Sequence, residues 1–471
     1  MLGLIGLHIL VGHAYSIVGP EEHALRERPN FIIILVDNLG YGDLGCYGSR
    51  ANRTLEIDQM AREGLRFTSF YSSSGVCTPS RASLMTGCYA QRVGMHVSDK
   101  NGWVLRPVAA KGLNPNEVTL AEILQQQGYA TACIGKWHLG DQIEFLPTRH
   151  GFDTFLGIPY SEDMYPRPGR DWPPVPLLYN ERVIEAPVDL STTTRRYVAE
   201  AIRFLKRNRG RPFFLYFPHH LPGSMRRPVV DARFAGESAN GPWGDSIAEI
   251  DWSVGEILNA IRDLNLDDRT LVVLVSDNGA PLGHGGSNRP LGGTGYTTSE
   301  GGMRVPCIIR WPGMIPAGGT CHELCTMMDI LPTFTHLAGG TLPQDRVIDG
   351  HNAWALWRGQ PGAKSTYEVF YYYMVDQLQA IRMGSWKLHL ALNSKPRSRE
   401  NRTQRRGQFL INLDRDLQEK HDVSAKHSDI VKKLLTWADR AREDLGDAGR
   451  PGSGQRQAGW VEHPTPRVLP E

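Results

Sequence analysis

Phe31-Ile-Ile-Ile-Leu-Val-Asp37-Asn38 is the stretch of sequence that best indicates the fold. Its six apolar residues show no polar alternation, which is typical of a strand covered on both faces. Three further apolar runs share this character, at 130–134, 213–217 and 271–275. Amphipathic segments separate these runs, so the sequence predicts an α/β fold with a large, mainly parallel sheet flanked by helices.

Composition limits the class of protein. The 471 residues include 52 basic and 50 acidic side chains, for a net charge of +2. This balance gives no argument for a nucleic-acid or membrane-surface partner. The mean hydropathy is −0.34, and no internal apolar run approaches the roughly 18–20 residues that a membrane span needs. We therefore expect neither a nucleic-acid partner nor a membrane span.

Changes in composition along the chain suggest four regions. We predict a catalytic α/β domain at 28–340 and a small C-terminal α+β subdomain at 341–445. The tail at 446–471 is rich in Gly, Pro, Arg and Gln and is predicted to be disordered. Residues 1–27 begin with an apolar stretch followed by small residues, which resembles a secretory signal. The alternatives for this segment are a disordered apolar tail and a misassigned start codon, whereas a signal would predict export to a periplasmic, extracellular or lysosome-like compartment.

Polar residues follow the predicted strands, at the sheet edge where ligands bind in open parallel sheets. They are Asp37 and Asn38, Lys136 and His138, His219 and His220, and Asp277 and Asn278. The carboxylate and amide oxygens suit a hard cation such as Ca²⁺ or Mg²⁺. A cation beside Lys and His favours an anionic tetrahedral substrate, either sulfate or phosphate.

Cys77 is a candidate nucleophile. Thr78 can cap a helix that has Pro79 at its first position, which would place Cys77 at a helix N-terminus. There the helix dipole lowers the pKa of a thiol. The alternative is a buried cysteine at an ordinary loop–helix junction. The chain has seven cysteines, an odd number, and Cys321 with Cys325 is the one pair suggested by proximity in sequence.

Cys77-Thr-Pro-Ser-Arg81, followed by Thr86-Gly87, resembles the signature of the type I sulfatases, in particular arylsulfatase-like members. Further segments that resemble family blocks lie at 37–43, 128–138, 276–279 and 300–306. The resemblance extends over about residues 28–445 and implies the alkaline-phosphatase-like fold.

The resemblance also implies roles for individual residues. Cys77 would be converted to Cα-formylglycine by a maturase, and the cation would be Ca²⁺, with Mg²⁺ less favoured. The implied metal ligands are Asp37, Asn38, Asp277, Asn278 and the modified Cys77. Arg81 would steady the formylglycine and the cation site, Lys136 and His138 would contact sulfate and the formylglycine, and Ser161 would help to seat sulfate.

The implied reaction is hydrolysis of a sulfated carbohydrate or an aryl sulfate. One hydroxyl of a formylglycine gem-diol would attack sulfur and displace the alcohol, which leaves a sulfated enzyme. His138 is the candidate base that would deprotonate the second hydroxyl, so that sulfate is expelled and the aldehyde is restored. Loop position predicts that Tyr160, Glu162, Asp163, Tyr165 and Trp172 line the entrance.

Three positions depart from the family pattern. Asn38 stands where an aspartate is usual, Gly223 where a histidine is usual, and Gly295 where a lysine is usual. His219 or His220 could substitute for the histidine, and His284 or Arg289 could reach inward. These departures leave two alternatives open: a sulfated-glycan-binding pseudoenzyme of the same fold, and a related phosphodiester or phosphonate ester hydrolase.

Overall fold

The structure is a computed structural model that describes residues 28–392 and 407–469. The predicted signal-like segment 1–27 lies outside the described residues. The strands, in chain order, are β1 Asn30–Asp37, β2 Leu65–Phe67, β3 Phe70–Tyr71, β4 Lys111–Gly112, β5 Ala130–Ile134, β6 Thr154–Gly157, β7 Leu177–Tyr179, β8 Arg182–Glu185, β9 Phe213–Pro222, β10 Thr270–Ser276, β11 Cys307–Arg310, β12 Gly319–Cys321, β13 Cys325–Thr326, β14 Phe370–Met374, β15 Gln377–Met383, β16 Trp386–His389, β17 Phe409–Asn412 and β18 Gly459–Trp460. The α-helices are α1 Leu55–Arg62, α2 Cys77–Thr86, α3 Leu120–Gln126, α4 Leu190–Asn208, α5 Gly241–Asp263, α6 Glu300–Met303, α7 Ile330–Leu337, α8 Trp354–Trp357 and α9 Ser428–Asp444.

The main sheet confirms the predicted α/β architecture. In the described part of the chain it has ten strands, in the order β12-β2-β11-β10-β1-β9-β5-β6-β7-β8. Its centre is parallel, because β1 pairs in parallel with both β10 and β9, and β9 with β5. The four apolar runs at 31–36, 130–134, 213–217 and 271–275 all lie in these central strands.

The apolar residues of β1 alternate between two hydrophobic cores, as a strand covered on both faces requires. Phe31, Ile33 and Leu35 pack into one core with residues of α2, α3 and α7. The intervening residues of β1 pack into the other core with residues of α1, α4 and α5. Helices therefore cover both faces of the sheet and leave its strand ends free to carry a site.

Two element ends differ from what the sequence predicts. The sequence predicts Asn116 as the N-cap of helix α3. The structure has Thr119 as the N-cap instead, in a capping box with Glu122. Strand β9 continues to Pro222, five residues beyond the predicted end. His219 and His220 consequently lie within the strand and not beyond it.

The C-terminal region is a separate α+β unit, as predicted. Strands β14, β15, β16 and β17 form an antiparallel sheet, with α9 packed against it. The sequence of residues 379–390 predicts a hairpin with its turn at Met383-Gly384. Strands β15 and β16 form this hairpin, with Met383 paired with Trp386.

The tail differs from the prediction of disorder after residue 446. Strand β18 pairs with β4 of the large domain, and Gly459 lies opposite Gly112. The Arg456 guanidinium forms an ion pair of 2.7 Å with Glu117. Long-range pairing thus orders a segment whose local composition favours disorder. No helix among residues 28–392 and 407–469 is long and apolar enough to cross a membrane.

Candidate active site

Asp37 and Asp277 are brought together by the parallel register of the central strands. Val36 of β1 lies opposite Ser276 of β10, so the residues that follow both strands meet at the same edge. The backbone N–H of Asn38 donates to Oδ1 of Asp277 over 3.0 Å. Asn38 has a φ of +65°, which turns the chain away from the strand. Asp37, Asn38 and Asp277 are all fully buried.

Helix α2 carries Cys77 at its first position and Arg81 one turn later, and all ten of its residues are buried. The N-cap position is Val76, so the predicted cap at Thr78 is wrong. The Thr78 hydroxyl instead donates to the carbonyl of His138 over 3.0 Å. This bond joins the start of α2 to the loop that follows β5.

Arg81 holds the two aspartates in place. Its Nη2 donates to Oδ1 of Asp37 over 3.0 Å, and its Nε donates to Oδ2 of Asp277 over 3.1 Å. Its Nη1 donates to the carbonyl of Lys136 over 2.6 Å. A planar guanidinium with all of these bonds fixes the relative positions of three loops.

Lys136 is the cation that faces Cys77. Its Nζ lies 2.8 Å from Oδ2 of Asp37, 2.9 Å from Oγ of Ser161 and 3.9 Å from Sγ of Cys77. Burial lowers the pKa of this ammonium, but Asp37, followed by Cys77 and Glu162, raises it, and the net pKa lies above its ordinary value. Lys136 therefore stays charged although it is fully buried.

His138 is held as a neutral ring. Its Nε2 lies 3.0 Å from the carbonyl oxygen of Leu105, and because a carbonyl only accepts, this nitrogen carries the hydrogen. Nδ1 has no hydrogen-bond partner within the described residues. Burial, followed by the charges of Lys136 and Arg81, lowers the pKa of His138 well below its ordinary value.

The pKa of Cys77 contradicts the sequence-based expectation. Burial, together with the neighbouring Asp37, raises the pKa of the thiol well above its ordinary value. These effects exceed that of the helix dipole, which was expected to lower it. An unmodified Cys77 therefore stays a neutral thiol and is a poor nucleophile.

The acidic groups of the site suit a divalent cation. One ligand atom from each of Asp37, Cys77 and Asp277 lies within 4.8 Å of the others. Oδ1 of Asn278, buried at the same edge, has no hydrogen-bond partner among the described residues. Burial and the adjacent Asp37 raise the pKa of Asp277 to about 7. A cation here would stabilise the ionised pair and use the free amide oxygen, so the residues present fit a hard metal ion.

Comparison with known proteins identifies the family. A family model described as Sulfatase matches residues 29–340, and one described as the C-terminal region of aryl-sulfatase matches residues 365–461. The chain belongs to the sulfatase family. The alkaline-phosphatase-like fold implied by the sequence motifs is thereby confirmed, together with its C-terminal subdomain.

Three similar proteins illustrate the relationship. N-acetylgalactosamine-6-sulfatase of Canis lupus familiaris is 39% identical over 394 residues, which cover 79% of this chain and 74% of that protein. Arylsulfatase A of Bos taurus is 41% identical over 393 residues, which cover 78% and 75% respectively. The crystal structure of the PsFucS1 sulfatase from Pseudoalteromonas sp. has a TM-score of 0.78 at 27% identity and covers 89% of this chain and 91% of that one.

Gly223 of this sulfatase lies against Glu162, a residue expected only to line the entrance. Glu162 is buried, with Oε1 accepting from the Ser224 N–H over 2.6 Å and Oε2 accepting from the Ser161 hydroxyl over 2.9 Å. Oε2 also lies 3.7 Å from Nζ of Lys136. Burial raises the pKa of Glu162 to about 7, although Lys136 acts in the opposite direction. A carboxyl group thus occupies the space beside the glycine.

Gly295 leaves no room for the lysine that is usual in the family. A Cβ at this position would lie 2.0 Å from the carbonyl oxygen of Gly279. The next residue, Tyr296, places its hydroxyl 3.2 Å from Nδ2 of Asn38 and 3.2 Å from Oγ of Ser224. The sequence did not predict Ser224 and Tyr296 as site residues. Each directly follows a glycine that departs from the family pattern, Gly223 or Gly295, and this was the available signal.

The other proposed substitutes lie elsewhere. His219 Nε2 lies 3.0 Å from the Ser253 hydroxyl in α5, and His220 Nε2 lies 3.2 Å from the Thr193 hydroxyl in α4. Both rings are therefore bound to the helical layer. His284 is half-buried, and the charges of Arg226 and Asp163 influence its pKa in opposite directions. Arg289 is exposed.

The predicted entrance residues divide into two groups. Tyr160 is buried, like Glu162. Tyr165 is exposed and Trp172 is partly exposed, and the guanidinium of Arg167 lies over both rings at 5.4 and 5.6 Å. Aromatic and cationic groups therefore lie together on the loop that follows Ser161.

Proposed function

We propose that this sulfatase hydrolyses sulfate esters of carbohydrates or aryl alcohols at residue 77. One observation carries the proposal: Cys77 begins a fully buried helix and faces Lys136 within a cluster of two carboxylates and Arg81. Such a cluster places an anion-binding ammonium and a metal-binding set around a single reacting atom. The family relationship and the sequence motifs of this chain support the same reaction.

A divalent cation, Ca²⁺ in preference to Mg²⁺, would be held by Asp37, Asn38, Asp277, Asn278 and residue 77. Oxygen ligands in a set that mixes carboxylates with amides suit the larger and more tolerant ion. A bound cation supplies Lewis-acid polarisation of sulfate and nucleophile oxygens. Asn38 brings no charge, so the site would bind the ion less tightly than a site with aspartate at that position.

Residue 77 would act as Cα-formylglycine, produced from Cys77 by a maturase. The raised pKa of the thiol supports this, because the unmodified side chain is a poor nucleophile. A hydrated formylglycine supplies an oxygen nucleophile and a second hydroxyl that assists release of sulfate.

The chain's own residues would perform the remaining tasks. Lys136 binds a sulfate oxygen through its permanently charged Nζ, and Ser161 provides a polar neighbour at 2.9 Å. Arg81 keeps both aspartates in position. His138 can accept a proton at Nδ1, because Nε2 already carries a hydrogen directed at Leu105. Its lowered pKa makes it a base that stays neutral until a proton is delivered.

The test uses protein expressed together with a formylglycine-generating maturase. We expect release of sulfate from members of a panel of sulfated sugars and aryl sulfates, and we expect Cys77→Ala to abolish it. Matched phosphate esters and phosphodiesters in the same panel test the alternative chemistry. Preferential turnover of phosphate esters by the wild type would contradict the proposal.

A second candidate is binding of sulfated glycans without turnover. It is favoured by Gly223 and Gly295, because neither position leaves space for the charged side chain that is usual in the family. Glycan binding with no hydrolysis of any ester, by protein whose residue 77 is verified as formylglycine, would establish this candidate.

We also propose that the protein is exported to a periplasmic, extracellular or lysosome-like compartment. The apolar start followed by small residues within 1–27 supports this. Cell fractionation of the full chain tests it: mature protein lacking this segment in the exported fraction is expected. Retention of the whole segment on protein inside the producing cell would contradict export.

A further inference from the structure

Asn38, Ser224 and Tyr296 form a triangle of polar groups at the edge of the site. Nδ2 of Asn38 lies 3.3 Å from Oγ of Ser224 and 3.2 Å from the Tyr296 hydroxyl, and the two hydroxyls lie 3.2 Å apart. Asn38 is fully buried, whereas Ser224 and Tyr296 are partly exposed. The two residues that carry the hydroxyls are thus less buried than Asn38.

The orientation of the Asn38 amide follows from its neighbours. The carbonyl of Gly279 can only accept, so Asn278 presents its Nδ2 there, at 3.0 Å. The same Nδ2 lies 2.5 Å from Asn38, which must therefore present Oδ1 to it. The NH₂ group of Asn38 consequently faces the two hydroxyls and donates to both.

Counting hydrogens shows that the triangle has one donor to spare. The amide supplies two hydrogens and each hydroxyl supplies one, while the three sides of the triangle use three. One O–H hydrogen therefore has no acceptor within the triangle. A carboxylate at position 38 would instead accept a hydrogen bond from each hydroxyl, so that neither hydroxyl hydrogen would remain to donate to another group.

The backbones of Ser224 and Tyr296 are hydrogen-bonded to both sides of the site. The Ser224 N–H donates to Glu162, which accepts in turn from Ser161 beside Lys136. On the other side, the Tyr296 N–H donates to the carbonyl of Gly75 over 2.9 Å, two residues before Cys77. The hydroxyl pair therefore connects the Lys136 side of the site with the start of α2.

We propose that the Ser224–Tyr296 hydroxyl pair donates a hydrogen bond to an oxygen of the bound sulfate group. This inference rests on the proposed function, because it assigns two further substrate-binding residues to the same site. The pair provides a neutral donor near Gly223 and Gly295, where no charged side chain fits. Either hydroxyl can still donate when the other is removed, but it then lacks the neighbour at 3.2 Å that orients it. Each single loss therefore weakens the bond to sulfate, and the loss of both removes it.

The test measures binding of inorganic sulfate by calorimetry, in the presence of calcium, and it needs no turnover. Tyr296→Phe and Ser224→Ala are each expected to weaken sulfate binding about threefold, and the double variant about tenfold, the loss of one hydrogen bond to a charged group. Tyr179→Phe, an exposed tyrosine on β7, is the matched control and is expected to bind as the wild type does. Melting temperature and calcium affinity verify that each variant is folded.

The inference is overturned if the folded double variant binds sulfate as tightly as the wild type, or if the wild type does not bind sulfate at all. If the double variant does not fold, sulfate binding by Ser224→Ala is the deciding measurement. Unchanged sulfate binding by this variant would then contradict the inference. Failure of the proposed function has a different signature, since the wild type and Tyr179→Phe would then bind sulfate but hydrolyse no sulfate ester.

Discussion

The Glu162 carboxyl group lies in the space that a side chain at residue 223 would need. A Cβ on Gly223 would lie 2.3 Å from Oε1 of Glu162 and 2.5 Å from the carbonyl oxygen of His220. Gly223 also has a φ of +78°, which residues with a side chain rarely adopt. The acid at 162 and the glycine at 223 are therefore coupled, and position 223 cannot hold a histidine without rearrangement.

Gly223→Ala should destabilise the protein through this contact. Gly236→Ala is the matched control, since Gly236 has a φ of +80° and nothing within 4 Å of its added Cβ. We expect about 1 kcal/mol from backbone strain at Gly236 and a further ~1–3 kcal/mol at Gly223 from overpacking. Thermal and urea unfolding measure the difference, and equal losses for the two variants would show that the contact has no cost.

Glu162→Gln should change the pH dependence of substrate binding. The pKa of Glu162 is raised to about 7 by burial, with Lys136 lowering it and Asp37 raising it. Below this pH the group is neutral, and above it a negative charge lies 3.7 Å from Lys136 and repels an anionic ester. KM of the wild type should therefore rise about 5–10-fold between pH 6 and pH 8.

In Glu162→Gln the group is neutral at every pH, so this rise in KM should be absent. Steady-state kinetics with one aryl sulfate across the pH range provides the comparison. Parallel pH profiles for variant and wild type would assign the dependence to another group.

Asp277→Asn should weaken cation binding. Asp37 and Asp277 are the two carboxylates of the cluster, and removal of one charged oxygen ligand is expected to lower calcium affinity at least about tenfold. Asp345→Asn, at a side chain that is 67% exposed and paired with Arg346, is the control and should bind calcium normally. Calorimetric titration with Ca²⁺ and with Mg²⁺ also decides which ion is preferred. Unchanged calcium affinity in Asp277→Asn would place the ion elsewhere.

Lys387→Met should loosen the attachment of the C-terminal subdomain. Nζ of this buried lysine lies 3.0 Å from Glu300 of α6 and 2.8 Å from Glu419. Its loss removes the buried ammonium that lies between these two buried carboxylates, at an expected cost of about 3–5 kcal/mol. Lys364→Met, whose side chain is 78% exposed in a pair with Glu323, should cost under about 1 kcal/mol. Similar melting temperatures for the two variants would contradict a structural role for Lys387.

The central sheet and the site at its edge could be predicted because their signals are local. Unbroken apolar runs mark the buried strands, and Asp37 and Asp277 come directly after two of them. The Cys77 motif is likewise contiguous, so its place at the start of a helix follows from neighbouring residues. The location of the site then needed only the rule that parallel strands present their carboxyl ends at one edge.

Three features could not be predicted from the sequence, because each depends on contacts between residues that are distant in sequence. The raised pKa of Cys77 arises from burial and from Asp37, which outweigh a helix dipole that is visible locally. The order of the tail results from pairing of Gly459 with Gly112. Nδ2 of Asn38 reaches Ser224 and Tyr296, which are 186 and 258 positions away, and no local pattern indicates such a partner.

The most direct test of the central claim is mass analysis of the peptide containing residue 77, combined with sulfate release by the same preparation. We expect an aldehyde in place of the thiol, and sulfate release in proportion to the converted fraction. Sulfate release by protein whose residue 77 is wholly unmodified cysteine would contradict the formylglycine mechanism, as would fully converted protein that hydrolyses no sulfate ester.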